Sequence, residues 1–316
     1  HEHAVLTDIL EPAGSGYVAH HGDDFLLANN AQWIGFSMEI GPEGSVYVLD
    51  WHDADICGTE VLNKDTGRVF RITPEQSAAT EFEGRYADVA SLPDETLARY
   101  QTLPSAWHAR RARVVLQNRS AKGVLSPATH QQLWHIFNQN QNADYQLRAL
   151  WALHVTGGLQ ESVLVWILKH SDPHIRAWAV QLLCEDMNPS PSALEAFASM
   201  AITDTSPVVR LYLAAALQRI PQEARWAIAE GLLQHAEDTD DHNIPKMIWF
   251  ALEPLAAAEP QRALAMAARG TIPLVSQFIA RRVADSEAYS QVVDGITASP
   301  SPTGQAHLLQ GFLQGL

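Results

Sequence analysis

A phrase repeated along the second half of the chain constrains its fold more than any other feature. In residues 171–183 an Asp-Pro pair is followed by an arginine, and small and large apolar residues then recur at helical spacing. Related phrases occupy residues 145–153 and 206–217, and the matching arginines are Arg148, Arg176 and Arg210. Their separations of 28 and 34 positions lie within the range of stacked helix pairs. The repeat therefore predicts a mainly α protein, an α-solenoid of paired helices.

Helix-start signals define how far this region extends. Ser or Asp before or beside Pro favours the first turn of a helix. Such signals fall at Ser91, Ser105, Ser126, Asp172, Ser206 and Pro221. They predict about a dozen short helices in a repeat domain covering residues 91–316, near the usual mean helix length.

The repeated residues are predicted to hold neighbouring helices together. Each arginine lies early in the second helix of a pair, where it can bond a carboxylate or carbonyl of a neighbouring repeat. The large aromatic residues are predicted to fill the space between layers. They are Trp151, Trp178, Tyr212 and Trp249.

The first 73 residues follow a different pattern. Residues 38–40, 45–51 and 68–72 are β-branched, aromatic or alternating, and turns at residues 41–44 and 64–67 separate them. They predict three strands of one small antiparallel sheet, which is marginal unless something covers its face. Residues 74–90 form a polar connector.

Charge and composition exclude some function classes. The net charge of −15 argues against binding nucleic acid over a broad surface. Arg110, Arg111 and Arg113 do cluster on one predicted helix, and we interpret them as a solvated face rather than a phosphate site. No run of 18 apolar residues predicts a membrane span. The chain begins at His1 with no visible signal peptide.

The two cysteines form neither a disulfide framework nor a metal motif. Cys184 lies on an apolar helical stripe, which favours a buried free thiol. A Cys57–Cys184 bridge joining the two halves is the alternative, because spacing alone does not decide between them.

Two polar clusters are candidate sites, and both lie in the first half. The first, directly after a predicted strand, comprises Asp50, Trp51, His52, Asp53 and Asp55. The second comprises His20, His21, Asp23 and Asp24. Such groups can bind a hard cation or orient a substrate hydroxyl. Equally, aspartates after a strand often satisfy loop amides, and neither cluster has the spacing of a known metal motif.

The motif Gly-Pro-x-Gly-x-x-Tyr-Val-x-Asp-Trp at residues 41–51, with residues 14–25 and 67–72, resembles the closing blade of a β-propeller. The family it resembles is the secreted "membrane-bound dehydrogenase" propeller proteins of planctomycete-type bacteria, which are similar to quinoprotein glucose/sorbosone dehydrogenases. There the last blade precedes HEAT-like repeats, and Asp-Pro-x-x-Arg is typical of HEAT repeats generally.

The resemblance implies a set of expectations. They are a periplasmic or extracellular location, a PQQ-like quinone or calcium as cofactor, and the remainder of a propeller, from missing sequence or another chain, as partner. It implies that Asp50–Asp53 face the propeller's axis or rim. No c-type haem motif follows the repeats.

Three functional hypotheses result. The first is the C-terminal part of a sugar- or alcohol-oxidising dehydrogenase-like protein, without a complete active site in this chain, whose helical repeats dock a partner. The alternative is a non-enzymatic HEAT-repeat scaffold that binds a protein partner on an extended surface. A third is a metal-dependent hydrolase that uses the Asp/His loop to hold a metal-activated water.

Overall fold

The computed structural model describes residues 3–53, 65–76 and 80–316. Backbone packing divides the chain into two compact units. The first comprises His1–Glu11 and Ala19–Leu159, and the second comprises Pro12–Val18 and Gln160–Leu316. The predicted boundaries at residues 73 and 90 rest on composition, and they stay a prediction.

Seven strands lie in the described part of the first 73 residues. They are β1 (Ala4–Val5), β2 (Asp8–Ala13), β3 (Gly16–His21), β4 (Leu26–Leu27), β5 (Gly35–Ile40), β6 (Val46–Asp50) and β7 (Arg68–Ile72). They form three small sheets: β1 pairs with β4, β2 pairs with β3, and the third sheet has the order β5-β6-β7.

The three-stranded sheet confirms the predicted antiparallel one. Val48 of β6 lies opposite Met38 of β5 and Phe70 of β7. Val48 is buried, and Phe70 makes an edge contact with the buried ring of Trp33 at 4.8 Å between centroids. Met38 remains more than half exposed. The apolar face is therefore only partly covered by the described residues of the chain.

The predicted likeness to a propeller blade is not supported by this topology. A propeller blade is typically one four-stranded sheet. The strands described before residue 73 are instead divided among sheets of two, two and three strands. The sequence predicted neither of the two smaller sheets. β1 and β4 have two residues each and carry no periodic signal, whereas β2 and β3 have six residues each and were missed.

Four helices belong to the first unit. They are α1 (Asp94–Arg99), α2 (Ala106–Ala121), α3 (Ala128–Gln139) and α4 (Ala143–Val155). α1 packs on α3, and α2 packs on α4, so two helix pairs are stacked. Leu116 and Leu150, one on each of α2 and α4, are fully buried.

Ten helices belong to the second unit. They are α5 (Glu161–Ile167), α6 (Pro173–Leu183), α7 (Pro191–Thr203), α8 (Pro207–Ala216), α9 (Gln222–Leu232), α10 (Ile244–Ala258), α11 (Pro260–Ala267), α12 (Pro273–Ala284), α13 (Tyr289–Ala298) and α14 (Pro302–Gln314). Each of α6, α8, α10, α12 and α14 packs on the next, and we call these helices the second layer. In the other layer α7 packs on α5 and α9, and α11 packs on α13. The predicted solenoid of paired helices is confirmed.

Five short 3-10 helices complete the described elements. They are Glu83–Tyr86, Val89–Ser91, Tyr100–Thr102, Leu217–Arg219 and Ala236–Asp238. In the described part of the chain, no helix combines the length and hydropathy needed to cross a bilayer.

The helix starts follow the predicted caps. At the start of α6, Asp172 Oδ1 accepts hydrogen bonds from the backbone N–H of His174 and Ile175, at 2.9 and 3.1 Å. Pro173 occupies the first helical position, where no donor is lost. Ser105 caps α2 in the same way.

Each repeated arginine bonds the chain of a neighbouring repeat. Arg176 donates from Nε and Nη2 to the two carboxylate oxygens of Asp204, both at 2.8 Å. Arg210 makes the same fork with Asp238, both bonds at 2.6 Å. In the first unit, Arg148 donates to the carbonyl of Leu103 at 2.7 Å. The predicted bonding of the repeated arginine to a neighbouring repeat is confirmed.

Cys184 is a free cysteine that is 1% exposed, as predicted. Burial raises the pKa of its thiol to about 11, so the reactive thiolate is scarce at neutral pH. Cys57 lies outside the described residues.

Within the second unit, the segment Pro12–Val18 is bound to the start of α10 through Asp241. The N–H and Oγ of Ser15 donate to the two carboxylate oxygens of Asp241 at 2.7 and 2.9 Å. The N–H groups of Asn243 and Ile244 donate to the same carboxylate, each at 2.9 Å. Burial by itself would raise the pKa of Asp241, but these hydrogen bonds hold the pKa below its ordinary value.

Replacement of Asp241 by asparagine should lower the free energy of unfolding by about 1 kcal/mol at pH 7, because the amide turns a donor toward donors. The lowered folded-state pKa stabilises the native state above the unfolded value of about 3.9, and this contribution is lost as pH falls through the folded value. The difference between wild type and Asp241→Asn should therefore shrink in urea titrations below about pH 4. Asp240→Asn, at the exposed neighbouring position, should differ from wild type by less than about 0.5 kcal/mol at either pH. A difference for Asp241→Asn that does not change with pH would contradict this assignment.

Candidate functional site

Asp50, the first member of the predicted Asp/His loop, has both carboxylate oxygens hydrogen-bonded to neighbouring residues. Its side chain is buried, and Oδ1 accepts hydrogen bonds from the N–H groups of Ile34 and His52 at 2.8 and 3.0 Å. Arg68 Nε donates to Oδ2 at 2.8 Å, and Arg68 Nη2 makes an ion-pair contact with the same oxygen at 2.6 Å. Burial opposes ionisation, yet the bonds from Ile34, Arg68 and His52 hold the pKa of Asp50 below its ordinary value. This carboxylate binds the ends of β6 and β7 together.

The other described members of the loop differ in burial and in the contacts they make. Trp51 is half exposed and makes an edge contact with the ring of Phe36, at 5.9 Å between centroids. His52 lies at a positive φ of 56° and shares a 2.7 Å hydrogen bond with Thr66 Oγ1. Asp53 is buried, and Asp55 lies outside the described residues. A ligand role for this loop stays a prediction.

The histidines of the second cluster lie on β3 and face opposite sides of the strand, since successive side chains alternate. His20 lies 3.4 Å from Glu11, while His21 lies 3.7 Å from Asp8 and 3.4 Å from Asp24. All these side chains are largely exposed. Asp23 contributes its backbone carbonyl, which accepts a hydrogen bond from Thr7.

Neither cluster forms a preorganised metal centre in the described part of the chain. Among residues 3–53, 65–76 and 80–316, no group of three or more His, Cys, Asp or Glu side chains could hold a metal ion. The Asp50 oxygens are already occupied by backbone and guanidinium donors. The hydrolase hypothesis therefore gains no support from these residues.

A different surface emerges along the second layer of the second unit. Trp178 of α6, Tyr212 of α8, Trp249 of α10 and Phe278 of α12 are each half-buried, and we call these four residues the aromatic row. The rings of Trp178 and Tyr212 lie 6.5 Å apart, and those of Trp249 and Phe278 lie 5.4 Å apart. Each pair spans two neighbouring second-layer helices.

Three residues of the aromatic row, Trp178, Tyr212 and Trp249, were predicted to pack between layers, and Phe278 was not predicted. Their half-burial means that the rings also present surface to solvent. Trp178 and Tyr212 each follow the repeated arginine by two positions. That recurrence is the sequence signal that could have identified the row as a surface feature. Phe250, beside Trp249 on α10, is 58% exposed and extends the apolar area.

Charged side chains lie on the same helices as the row. Arg282 of α12 donates to Glu253 of α10 at 2.6 Å, and both side chains remain about one-third or more exposed. Lys246, in the first turn of α10, is exposed. The row therefore combines aromatic faces with a polar rim, the composition typical of protein interfaces.

Residues 161–244, spanning α5 to the start of α10, match the family model of HEAT repeats. Among solved structures, the chain is similar to an engineered protein at 19% identity, with 76% of this chain and 75% of that chain covered and a TM-score of 0.40. It is also similar to a second engineered protein (17% identity, 70% and 97% covered, TM-score 0.31). A designed armadillo repeat protein in complex with the peptide (KR)4 is a third (10% identity, 70% and 99% covered, TM-score 0.30). No curated protein matches the sequence.

The resemblance to a dehydrogenase-type propeller family is wrong. The family that matches is HEAT repeats, and the described N-terminal strands do not form a blade. The oxidoreductase role, the PQQ-like quinone, calcium and the remainder of a propeller as partner were implied by that resemblance and lose their basis with it. The helical-repeat assignment rests on the helix packing and on the HEAT match.

Proposed function

We propose that this protein is a non-enzymatic HEAT-like scaffold that binds a protein partner along the second layer of its second unit. The observation that carries this proposal is the aromatic row, half-buried on four successive second-layer helices. Helical repeats provide extended surfaces of this kind for protein binding. Half-buried Trp and Tyr residues are the side chains that most often supply the binding energy of such interfaces.

The charge of the chain favours a basic segment as the partner. The net charge of −15 attracts positively charged chains and speeds their association. The face of Trp249 can bind Arg or Lys through a cation–π contact, which contributes about 0.5–2 kcal/mol depending on desolvation. A segment in which Arg or Lys alternates with apolar residues fits both properties.

Fluorescence anisotropy with short labelled peptides of that composition tests the proposal on the full chain. Peptides alternating arginine and leucine should bind saturably, and the same peptides with glutamate in place of arginine should not. Trp249→Ala should weaken binding at least about tenfold, since it removes a central ring of the row. Tyr212→Leu, which keeps bulk but removes the ring, should weaken binding without the risk of a large cavity.

Trp166→Ala is the matched control, because Trp166 is 59% exposed on α5, outside the second layer. It should leave peptide affinity unchanged. Equal losses for Trp166→Ala and Trp249→Ala would contradict the assignment of the surface. Binding of the glutamate peptides as tight as that of the arginine peptides would contradict the basic partner.

A further inference from the structure

A pocket of about 270 Å³ between α2 and α4 in the first unit is lined by three arginines. They are Arg110 and Arg113 of α2 and Arg148 of α4. Asp144 is the acidic residue among the described lining residues, so two positive charges are left uncompensated. This is unexpected in a chain of net charge −15.

Arg113 is the most informative residue of the pocket, because one nitrogen of its guanidinium lacks an acceptor in the described part of the chain. Its Nη1 atom is buried and has no hydrogen-bond acceptor among the described residues. The guanidinium stacks on the Trp151 ring at 5.2 Å, which orients it without supplying an acceptor. Burial, together with the charges of Arg148 and Arg110, lowers the pKa of Arg113 below its ordinary value. A partly buried guanidinium with an unpaired donor is costly, and a bound anion would offset that cost.

Arg148 and Arg110 line the same pocket. Arg148 is anchored by its 2.7 Å bond to the Leu103 carbonyl and lies over the Tyr145 ring at 5.5 Å. Arg110 is exposed and lies one helical turn before Arg113. Ala106 brings the N-terminus of the 16-residue helix α2 to the pocket, and the N-terminal end of a helix carries a partial positive charge.

We infer that this pocket binds a phosphate dianion, either free or as a monoester. Guanidinium groups bind phosphate oxygens through paired, charge-assisted hydrogen bonds. The uncompensated charge of the pocket matches a phosphate near neutral pH. A volume of about 270 Å³, just below the usual range for small-molecule sites, admits such a group but little more. The inference does not depend on the proposed function, because it concerns a different unit of the chain.

Calorimetric titration of the full chain with inorganic phosphate, against sodium chloride at matched ionic strength, tests the inference. One equivalent of phosphate should bind and raise the melting temperature, since a ligand that binds only the native state stabilises it. Arg113→Gln should weaken binding at least about tenfold, because a charge-assisted bond is lost. Arg110→Gln, at an exposed position that does not endanger folding, should weaken binding in the same direction.

Arg111→Gln is the matched control. Arg111 lies on the same helix, is exposed, and stacks on Trp107 at 5.5 Å rather than lining the pocket. Arg111→Gln removes one positive charge, as Arg110→Gln does, and should leave phosphate affinity unchanged. Equal effects of Arg111→Gln and Arg110→Gln, or no saturable binding of phosphate, would overturn the inference.

Two further titrations identify the chemistry of the ligand. Succinate, a dicarboxylate, should bind more weakly than phosphate, and tighter binding of succinate would overturn the phosphate assignment. O-Phosphoserine binding more tightly than inorganic phosphate would support a monoester carried on another molecule. The reverse order would support free phosphate.

Discussion

Replacement of Arg210 by alanine should lower the free energy of unfolding by about 3–5 kcal/mol, the range for breaking a buried ion pair from one side. Arg210 and Asp238 are each 2% exposed, and two hydrogen bonds of 2.6 Å join them. Arg210 Nη1 also donates to the carbonyl of Asp204 at 3.0 Å. Burial alone lowers the pKa of Arg210, but the bond to Asp238 and its charge raise the pKa above the ordinary value, so the guanidinium stays charged. Alanine would leave the Asp238 carboxylate buried without its partner.

Urea unfolding measures this loss, and two further variants interpret it. Arg269→Ala removes an exposed arginine that lies 3.3 Å from Glu230, so it should cost no more than about 1 kcal/mol. The double replacement Arg210→Met with Asp238→Leu should recover much of the loss, because apolar residues of similar volume can replace a buried pair. A loss for Arg210→Ala as small as that for Arg269→Ala would contradict a structural role for the buried pair.

The helical half of the fold could be predicted because its signals are local. The Ser-Pro and Asp-Pro starts, such as Asp172-Pro173, mark first turns that depend on neighbouring residues alone. The repeated arginine predicted bonding between repeats. The identities of the acceptors, Asp204 and Asp238, required knowing which loop packs above each second-layer helix. The pairing of each arginine with its acceptor depends on packing across about one repeat, and no short sequence motif encodes it.

The candidate sites were harder to predict because side-chain function depends on what each group contacts. Asp50 looked available in the sequence, yet two backbone N–H groups and Arg68 occupy its oxygens. Arg110 and Arg113 line a pocket with Arg148, which lies on another helix, so the sequence of α2 alone could not show that the three arginines meet. The propeller resemblance failed for a related reason. A turn-and-strand motif specifies a hairpin, and it does not specify how many strands join it.

Replacement of Gly311 by alanine should also destabilise the second unit, by a net of about 2 kcal/mol. Gly311 of α14 is buried against α12, where a Cβ atom would lie far inside contact distance of the Gln277 carbonyl oxygen and 2.7 Å from Gln277 Cα. Both are backbone atoms, so no side-chain rotation relieves the clash and the two helices must separate. Overpacking of this kind costs about 1–3 kcal/mol, with contact against backbone at the upper end. The better helix propensity of alanine returns up to about 1 kcal/mol.

Gly295→Ala on α13 is the matched control for this prediction. The nearest atom to its new Cβ is Leu264 Cβ at 3.1 Å, so the two helices need to give by only a few tenths of an ångström, far less than at Gly311. We therefore expect Gly295→Ala to be neutral or slightly stabilising, because the propensity gain is the same. Amide hydrogen exchange separates local from global effects, since opening of α14 alone would raise exchange in α14 and along the facing side of α12. Equal urea midpoints for the two variants, with unchanged exchange in α14, would show that the helices can accommodate a methyl group at Gly311. In that case close backbone approach would not be what holds α14 against α12.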